Sequence, residues 1–422
     1  LRAVLATAAA RRCPHILMLL PQAADADCVA GDAIAFGIAD AVALPLSVGR
    51  TGKHSLADSD LAERLQVLQK LRTRGPDEAT PLLVTAYIGG AIQLVPTPDQ
   101  MEASTRTLSV GSELPMDAVR QWLDDSGFVS TTAVQLPGEF ATRGGLMDVY
   151  SVDQPNPIRI EWFGDEIESI RRFDLGSQRS IESIQSVEIT AVGAEDEESG
   201  DSSREMALGP ISDYLPDDTL VILVDPHDCK LSAKTLLART EDHSHFTDFE
   251  SLLASMSHLK TVTASLLNEG AETTIDLQST SADGFALALD ETQMRIDSVA
   301  ADHDILLVGD TPSDSERLME LLSQTDAAAR GHIKPAVAQI SGGFRLTAAK
   351  TLVLTGAELF HRSPVRRGKN RAPAKPITTS MQLEAGDLVV HLSHGIGLYR
   401  GLDHIEKNGQ HIEHLVIEYC LL

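Results

Sequence analysis

Basic charge is scarce in this chain. Its 422 residues hold 35 Lys and Arg against 61 Asp and Glu, a formal net charge of −26. A phosphate backbone needs a basic face, so the balance excludes broad nucleic-acid contact by the chain as a whole and leaves room only for a local patch. Cysteine is scarce too: Cys13, Cys28, Cys229 and Cys420 are the four present. None forms a CxxC pair or a metal-ligand cluster, which excludes a zinc site of the usual spacing. Two disulfides are arithmetically open, but cysteines spaced this widely in a long chain read as reduced cytosolic thiols. Long apolar runs are absent; none approaches the ~18–20 residues of a membrane span. An initiator Met is also absent. The opening LRAVLATAAARRCPHILMLLP superficially resembles a targeting peptide. PHILMLLP nevertheless behaves as a buried strand and the Ala-rich stretch as a helix leading into it, so the first residue reads as the edge of a truncated domain.

Catalytic signatures are missing as well. GRTGKH over residues 49–54 looks like a phosphate loop, but Ser47 stands where the motif needs its first Gly and His54 where Ser or Thr must reach Mg²⁺. It reads as a polar loop, and no cofactor or metal is expected in this chain. His411 and His414 lack the helical spacing of a zinc protease and fall on opposite faces of a strand. No Ser/His/Asp or paired-carboxylate arrangement stands out among so many acids, and no catalytic residue is assigned.

What is present is a multidomain α/β pattern. A chain this long predicts two to four domains. Residues 1–105 alternate helix and strand: a central strand over 16–20, helices over 27–38 and 61–71, a strand over 81–85. Such units predict a mainly parallel sheet flanked by helices. Residues 106–193 turn to short strands, with one helix over 117–126. The acidic, Ser/Gly-rich run at 194–205 reads as a solvated linker. The α/β domain then resumes to about residue 290, with a strand over 220–224. Residues 291–360 predict a smaller α/β unit with strands over 304–309 and 351–354. Its helix spans 313–322, with Ser313 or Asp314 as N-cap. A basic, Pro-rich segment at 361–376 (HRSPVRRGKNRAPAKP) reads as part of a linker reaching residue 383, or less strongly as a nucleic-acid contact. Residues 384–422 form a compact β pattern with Asn408-Gly409 as a hairpin turn.

Against the acidic background, residues 143–179 set Arg143, Arg159, Arg171, Arg172 and Arg179 around an alternating strand pair. Alternation puts Arg159, Glu161 and Phe163 on one face and Ile160 and Trp162 on the other. With Gly164-Asp165 as a two-residue turn, Phe163 faces Glu166, Trp162 faces Ile167 and Glu161 faces Glu168. Ile160, Trp162 and Ile167 then form the buried face. Phe163 is an apolar residue on a charged face: either another element covers it or it is an exposed anchor. Arginine with an exposed aromatic is the usual composition of a binding hot spot. For Arg159 the plainer alternative is a cross-strand ion pair with a nearby Glu, which contributes little.

The block GEFATRGGLMDVYSVDQPNPIRIEWFGDEIESIRRFDLGSQRS, residues 138–180, strongly resembles the module shared by the repair protein UvrB and the transcription-repair coupling factors. In both families that module binds UvrA. The resemblance carries the UvrA-contacting positions onto Arg143, Arg159 and Phe163, with Arg171, Arg172 and Arg179 as rim contributors. A second block, GDLVVHLSHGIGLYRGL at 386–402, resembles the CarD-like RNA polymerase interaction domain of the coupling factors, which UvrB lacks. It implies a small SH3- or Tudor-like barrel pairing with the polymerase β subunit through Ile405, with Leu402 and Glu406 beside it. For Ile405 packing against Ile412 is an equal alternative.

Together the blocks resemble the N-terminal part of a coupling factor: a UvrB-like α/β domain without its phosphate loop, an inserted UvrA-binding module, a small α/β domain and an incomplete barrel. The resemblance implies that ATP, Mg²⁺ and most DNA contact belong to a translocase absent from these residues, as does the domain that masks the UvrA surface. The ending Cys420-Leu421-Leu422 departs from the family pattern, so a fragment with its UvrA surface open is expected. The alternatives are a UvrB-type ATP-dependent damage-verification protein and a CarD-type transcription regulator.

Overall fold

A computed structural model describes residues 1–47, 59–74, 80–152, 154, 156–191, 207–240, 242–266, 273–282, 284–285, 288–360, 388–391, 395–407 and 410–418. The loop at 49–54, the acidic run at 194–205, the basic segment at 361–376 and the Asn408-Gly409 turn lie outside them. The chain is mixed α/β with several sheets and divides into two units, Leu1–Asn370 and Arg371–Leu422.

The strand His15–Leu20 is buried at every position and sits in the middle of a five-stranded sheet. The strand order is Lys260–Ala264, Leu220–Val224, His15–Leu20, Leu82–Tyr87, Asp40–Leu44, all parallel. A parallel sheet is covered on both faces, so its strands are apolar runs whose alternate residues feed two cores. Leu17, Leu19, Val84, Val221 and Leu223 pack with Leu65, Leu68 and Leu71 of helix Ser59–Thr73. Ile16, Met18, Leu20, Leu83 and Ile222 pack with Ala3 and Ala6 of helix Arg2–Ala10 and with Ala26, Val29 and Ala33 of helix Ala23–Ala35. That second helix starts earlier than residue 27, and it stops short of 38 because Gly37 at φ 100° leaves helical conformation. Arg64, 2% exposed, donates to the carbonyls of Pro45, Gly90 and Gln93 and ties helix Ser59–Thr73 to the segments that follow strands Asp40–Leu44 and Leu82–Tyr87.

The sheet takes strands from both sides of a β-rich insertion. The chain leaves through Thr105–Ser109 and returns through Ser186–Thr190, and these two strands pair antiparallel as a stem. Between them lies a six-stranded sheet ordered Ser180–Ile184, Glu166–Phe173, Ile158–Phe163, Leu146–Tyr150, Glu139–Arg143, Val129–Ser130. Helix Met116–Asp125 precedes it and buries Val119 and Leu123.

A second five-stranded sheet is ordered Ser279–Ser281, Phe344–Leu346, Thr351–Thr355, Asp304–Gly309, Ile333–Val337. Its edge strand and the core residues Ala282 and Phe285 come from upstream of residue 291. Helix Pro312–Leu322 is capped by Thr311, whose hydroxyl accepts the Asp314 N–H at 3.2 Å, rather than by Ser313 or Asp314. Pro312 takes the first helical position, where its missing N–H is not needed.

The unit Arg371–Leu422 shows an antiparallel sheet of Leu388–His391, Gly395–Lys407 and Gln410–Glu418 among its described residues. Cys13, Cys28 and Cys229 are not joined in disulfides. Among the described residues no helix is long and apolar enough to cross a membrane.

Candidate functional site: one face of the inserted sheet

Strand Ile158–Phe163 alternates as its sequence requires. Ile158, Ile160 and Trp162 point into the core shared with helix Met116–Asp125, joined by Phe140, Met147, Val149, Ile167 and Ile170. The Trp162 indole N–H donates to the Leu114 carbonyl at 2.8 Å, satisfying the polar end of a ring that is only 8% exposed. Gly164 turns the hairpin at φ 65°, a left-handed conformation that favours glycine. Leu114 N–H donates to the Asp165 carbonyl at 2.7 Å and Ile167 N–H to the Ser112 carbonyl at 3.0 Å, so the tip is anchored to the neighbouring segment.

The opposite face runs in rows set by strand register. Phe163 pairs with Glu166 at the turn. One row deeper lie Arg143, Leu146, Glu161 and Ser169; the next holds Ala141, Asp148, Arg159 and Arg171. Tyr150 and Phe173 close the far end in a small apolar cluster with Val134 and Ala141. Phe163 is 80% exposed, so no element of the described chain covers it.

Glu161 does not face Glu168. The strand Glu166–Phe173 shifts register between Ile167 and Ser169, which leaves Glu168 as an extra, exposed residue and sets Ser169 opposite Glu161. Two carboxylates directly across a ladder repel; the bulge replaces that pair by a hydroxyl donor and keeps both Ile167 and Ile170 inward. Ser169 Oγ donates to Glu161 Oε2 at 2.7 Å, and the Arg171 guanidinium pairs with the same carboxylate. The Ser169 hydroxyl, then Arg171, hold the Glu161 carboxyl below its ordinary value.

Arg159 makes an ion pair, but with an aspartate. Its Nε and Nη2 donate to the two oxygens of Asp148 at 2.7 and 2.8 Å. Its Cζ lies 4.6 Å from the centre of the Phe173 ring, a cation–π distance. The Asp148 hydrogen bonds push the Arg159 pKa above its already high ordinary value. Arg143 is exposed, and its Nη2 donates to the neutral Thr132 carbonyl at 2.7 Å.

The structure thus gathers Arg143, Arg159, Phe163 and Arg171 on one face. Arg172 is registered with the inward Ile158 and pairs with Glu182 of the neighbouring strand, so it stands on the other face. Arg179 is exposed in the turn at the far end of strand Glu166–Phe173 from Phe163. Asp148, Ser169 and Phe173 complete the face and were not singled out from sequence. Neither glycine turn fixes the register of strand Leu146–Tyr150 against strand Ile158–Phe163, so the placing of Asp148 opposite Arg159 left no short-range signal in the sequence.

In the second unit, backbone register pairs Ile405 with Ile412, Leu402 with Leu415 and Glu406 with His411.

Comparison with known proteins covers both units. Residues 107–193 match the UvrB interaction domain family, and residues 383–420 match the CarD-like/TRCF RID domain family. The transcription-repair-coupling factor of Bacillus subtilis is 26% identical over 85% of this chain and 37% of its own length. That of Mycobacterium bovis is 26% identical over 99% of this chain and 41% of its own. The chain therefore spans roughly two fifths of the length of the curated relatives it matches. It carries a UvrB interaction domain followed by a CarD-like domain, and over its length it is similar to the N-terminal part of transcription-repair-coupling factors.

Proposed function

We propose that this chain is a recruitment component of transcription-coupled nucleotide-excision repair, binding UvrA through the outer face of the inserted sheet and RNA polymerase through its C-terminal unit. The observation that carries the first half is Phe163: a phenyl ring 80% exposed at an anchored hairpin tip, one row from Arg143 and two rows from Arg159 on the same face. A rigid aromatic bordered by arginine supplies contact area at small entropic cost, which is how hot spots are built. The match of residues 107–193 to the UvrB interaction domain supports UvrA as the partner. On this reading Arg171 takes a rim role, whereas Arg172, on the opposite face, and Arg179, at the far end of the strand, lie away from the anchor.

For the second half, the match of residues 383–420 supports the polymerase β subunit as the partner, with Ile405, Leu402 and Glu406 in the contacting strand. An SH3- or Tudor-like barrel, built on the three antiparallel strands, is the proposed form of that unit, and strand addition the proposed mode of binding. The parallel-sheet domain serves as the scaffold into which the UvrA-binding module is inserted. ATP hydrolysis, Mg²⁺ binding and translocation on double-stranded DNA are functions of the whole protein on this reading, with no cofactor held by these residues.

Competition tests the UvrA half. If the module is the one UvrB also uses, excess chain displaces labelled UvrB from UvrA, and displacement is weaker for the Phe163→Ala chain. Simultaneous binding of UvrB and the chain to one UvrA site would refute the shared surface.

A further inference from the structure

Three arginines share the face proposed to dock UvrA, yet their charges are not equally available. Arg171 is paired with Glu161. Arg159 is held by both oxygens of Asp148 and lies over the Phe173 ring. Arg143 is exposed and bonded to a carbonyl, and among the described residues no carboxylate pairs with it.

The supports of Arg159 are themselves fixed. Phe173 is fully buried in the small cluster with Val134, Ala141 and Tyr150. The Asp148 side chain is 12% exposed, on a strand paired on both sides. A bidentate carboxylate on one edge and a ring on one face hold the guanidinium in one orientation, so an arriving partner need not order that side chain. The Arg159 side chain remains 24% exposed, so part of the fork stays open to a partner.

We propose that Asp148, seated with Phe173, is the positioning residue of the docking face: it presents Arg159 as a fixed, charge-neutralised hydrogen-bond donor, and leaves Arg143 as the cation that meets a carboxylate on the partner. The inference rests on the UvrA-docking reading and adds a division of labour to it. Arg159 contributes shape and directed hydrogen bonds, which salt screens weakly; Arg143 contributes an exposed ion pair, which salt screens strongly.

The substitution Asp148→Asn tests it with little change of volume. An asparagine offers one acceptor where the carboxylate offered two, turns an amide N–H₂ toward a guanidinium that cannot accept, and removes the neutralising charge. UvrA affinity is measured for the full chain with D148N, R159A and the double variant, alongside melting temperatures. The expected result is a loss of about tenfold for D148N in the wild-type background and no further loss in the R159A background, because Asp148 acts through Arg159. A slowly exchanging Arg159 Nε–H resonance is expected in the wild-type chain and lost in D148N, which a merely structural role of Asp148 elsewhere would not produce. Separately, R143Q is expected to flatten the dependence of affinity on salt, and R159A to leave that slope nearly unchanged. Equal losses from D148N in both backgrounds, or an R159A slope as flat as that of R143Q, overturn the proposal while UvrA docking stands. Failure of the wild-type chain to bind UvrA overturns the docking reading and this inference with it.

Discussion

Phe163 and Glu161 sit two residues apart on the same face and do opposite things. Phe163 leaves its ring in water and contributes almost nothing to the fold; Glu161 makes a hydrogen bond to Ser169 and an ion pair to Arg171 that stabilise the hairpin. The consequence for Glu161 is a pH dependence with a defined sign. Its carboxyl is held below the ordinary 4.5 in the folded chain, so its contribution is complete above that value and is lost as pH falls through the lower folded value. A melting-temperature series in acid is therefore expected to fall below about pH 4.5, less steeply for Glu161→Gln than for the wild type. An identical fall in both would remove Glu161 from the account. Among these residues the sequence was informative about faces and silent about partners. Alternation placed Arg159, Glu161 and Phe163 together, but it has no means of deciding whether Arg159 pairs with a nearby glutamate across the hairpin or with Asp148 on the strand at its other side.

At the scale of elements, the hairpin depends on the anchoring of its inner face. Trp162 fills the core and bonds the Leu114 carbonyl, coupling the strand to the segment that also holds the turn. Trp162→Ala removes a large buried ring and orphans that carbonyl. A loss of about 3–5 kcal/mol is expected in urea unfolding, together with a loss of UvrA binding that tracks the unfolded fraction. Binding retained by a fully folded W162A chain at lowered stability would show that the tip does not need this anchor. The regular parts of these elements were legible because apolar runs and period-two alternation report burial directly. The strand over 220–224, the strand over 304–309 and the Glu166–Phe173 return are found where the pattern put them. The irregular parts were not. An inserted residue such as Glu168 leaves no mark in an alternation count, and its place is decided by what lies across the ladder. The short strands Ser279–Ser281 and Phe344–Leu346 carry too few residues to show a period and are defined by pairing with each other.

At the scale of the whole molecule, the inserted sheet is entered and left through one antiparallel stem, and the parallel sheet closes on both sides of it. An insertion with adjacent ends can present a face outward without disturbing the scaffold. The whole chain carries a net charge of −26, so on the proposed reading a cation such as Arg143 stands out against its background and helps select the orientation of a partner. This arrangement agrees with the proposed docking, and the two family matches at residues 107–193 and 383–420 mark two separate domains, one internal and one near the C-terminus. The loop at 49–54 and the acidic and basic linkers lie outside the described residues, so that part of the sequence reading stays an expectation. The central claim is that Phe163 is an anchor for UvrA and is not a packing residue. Titration of UvrA with the full chain and with its Phe163→Ala variant, both shown to melt at the same temperature, tests it most directly. The account predicts an affinity weakened by roughly thirtyfold or more, the cost of a central hot spot at about 2 kcal/mol. Equal affinities for the two chains would contradict it.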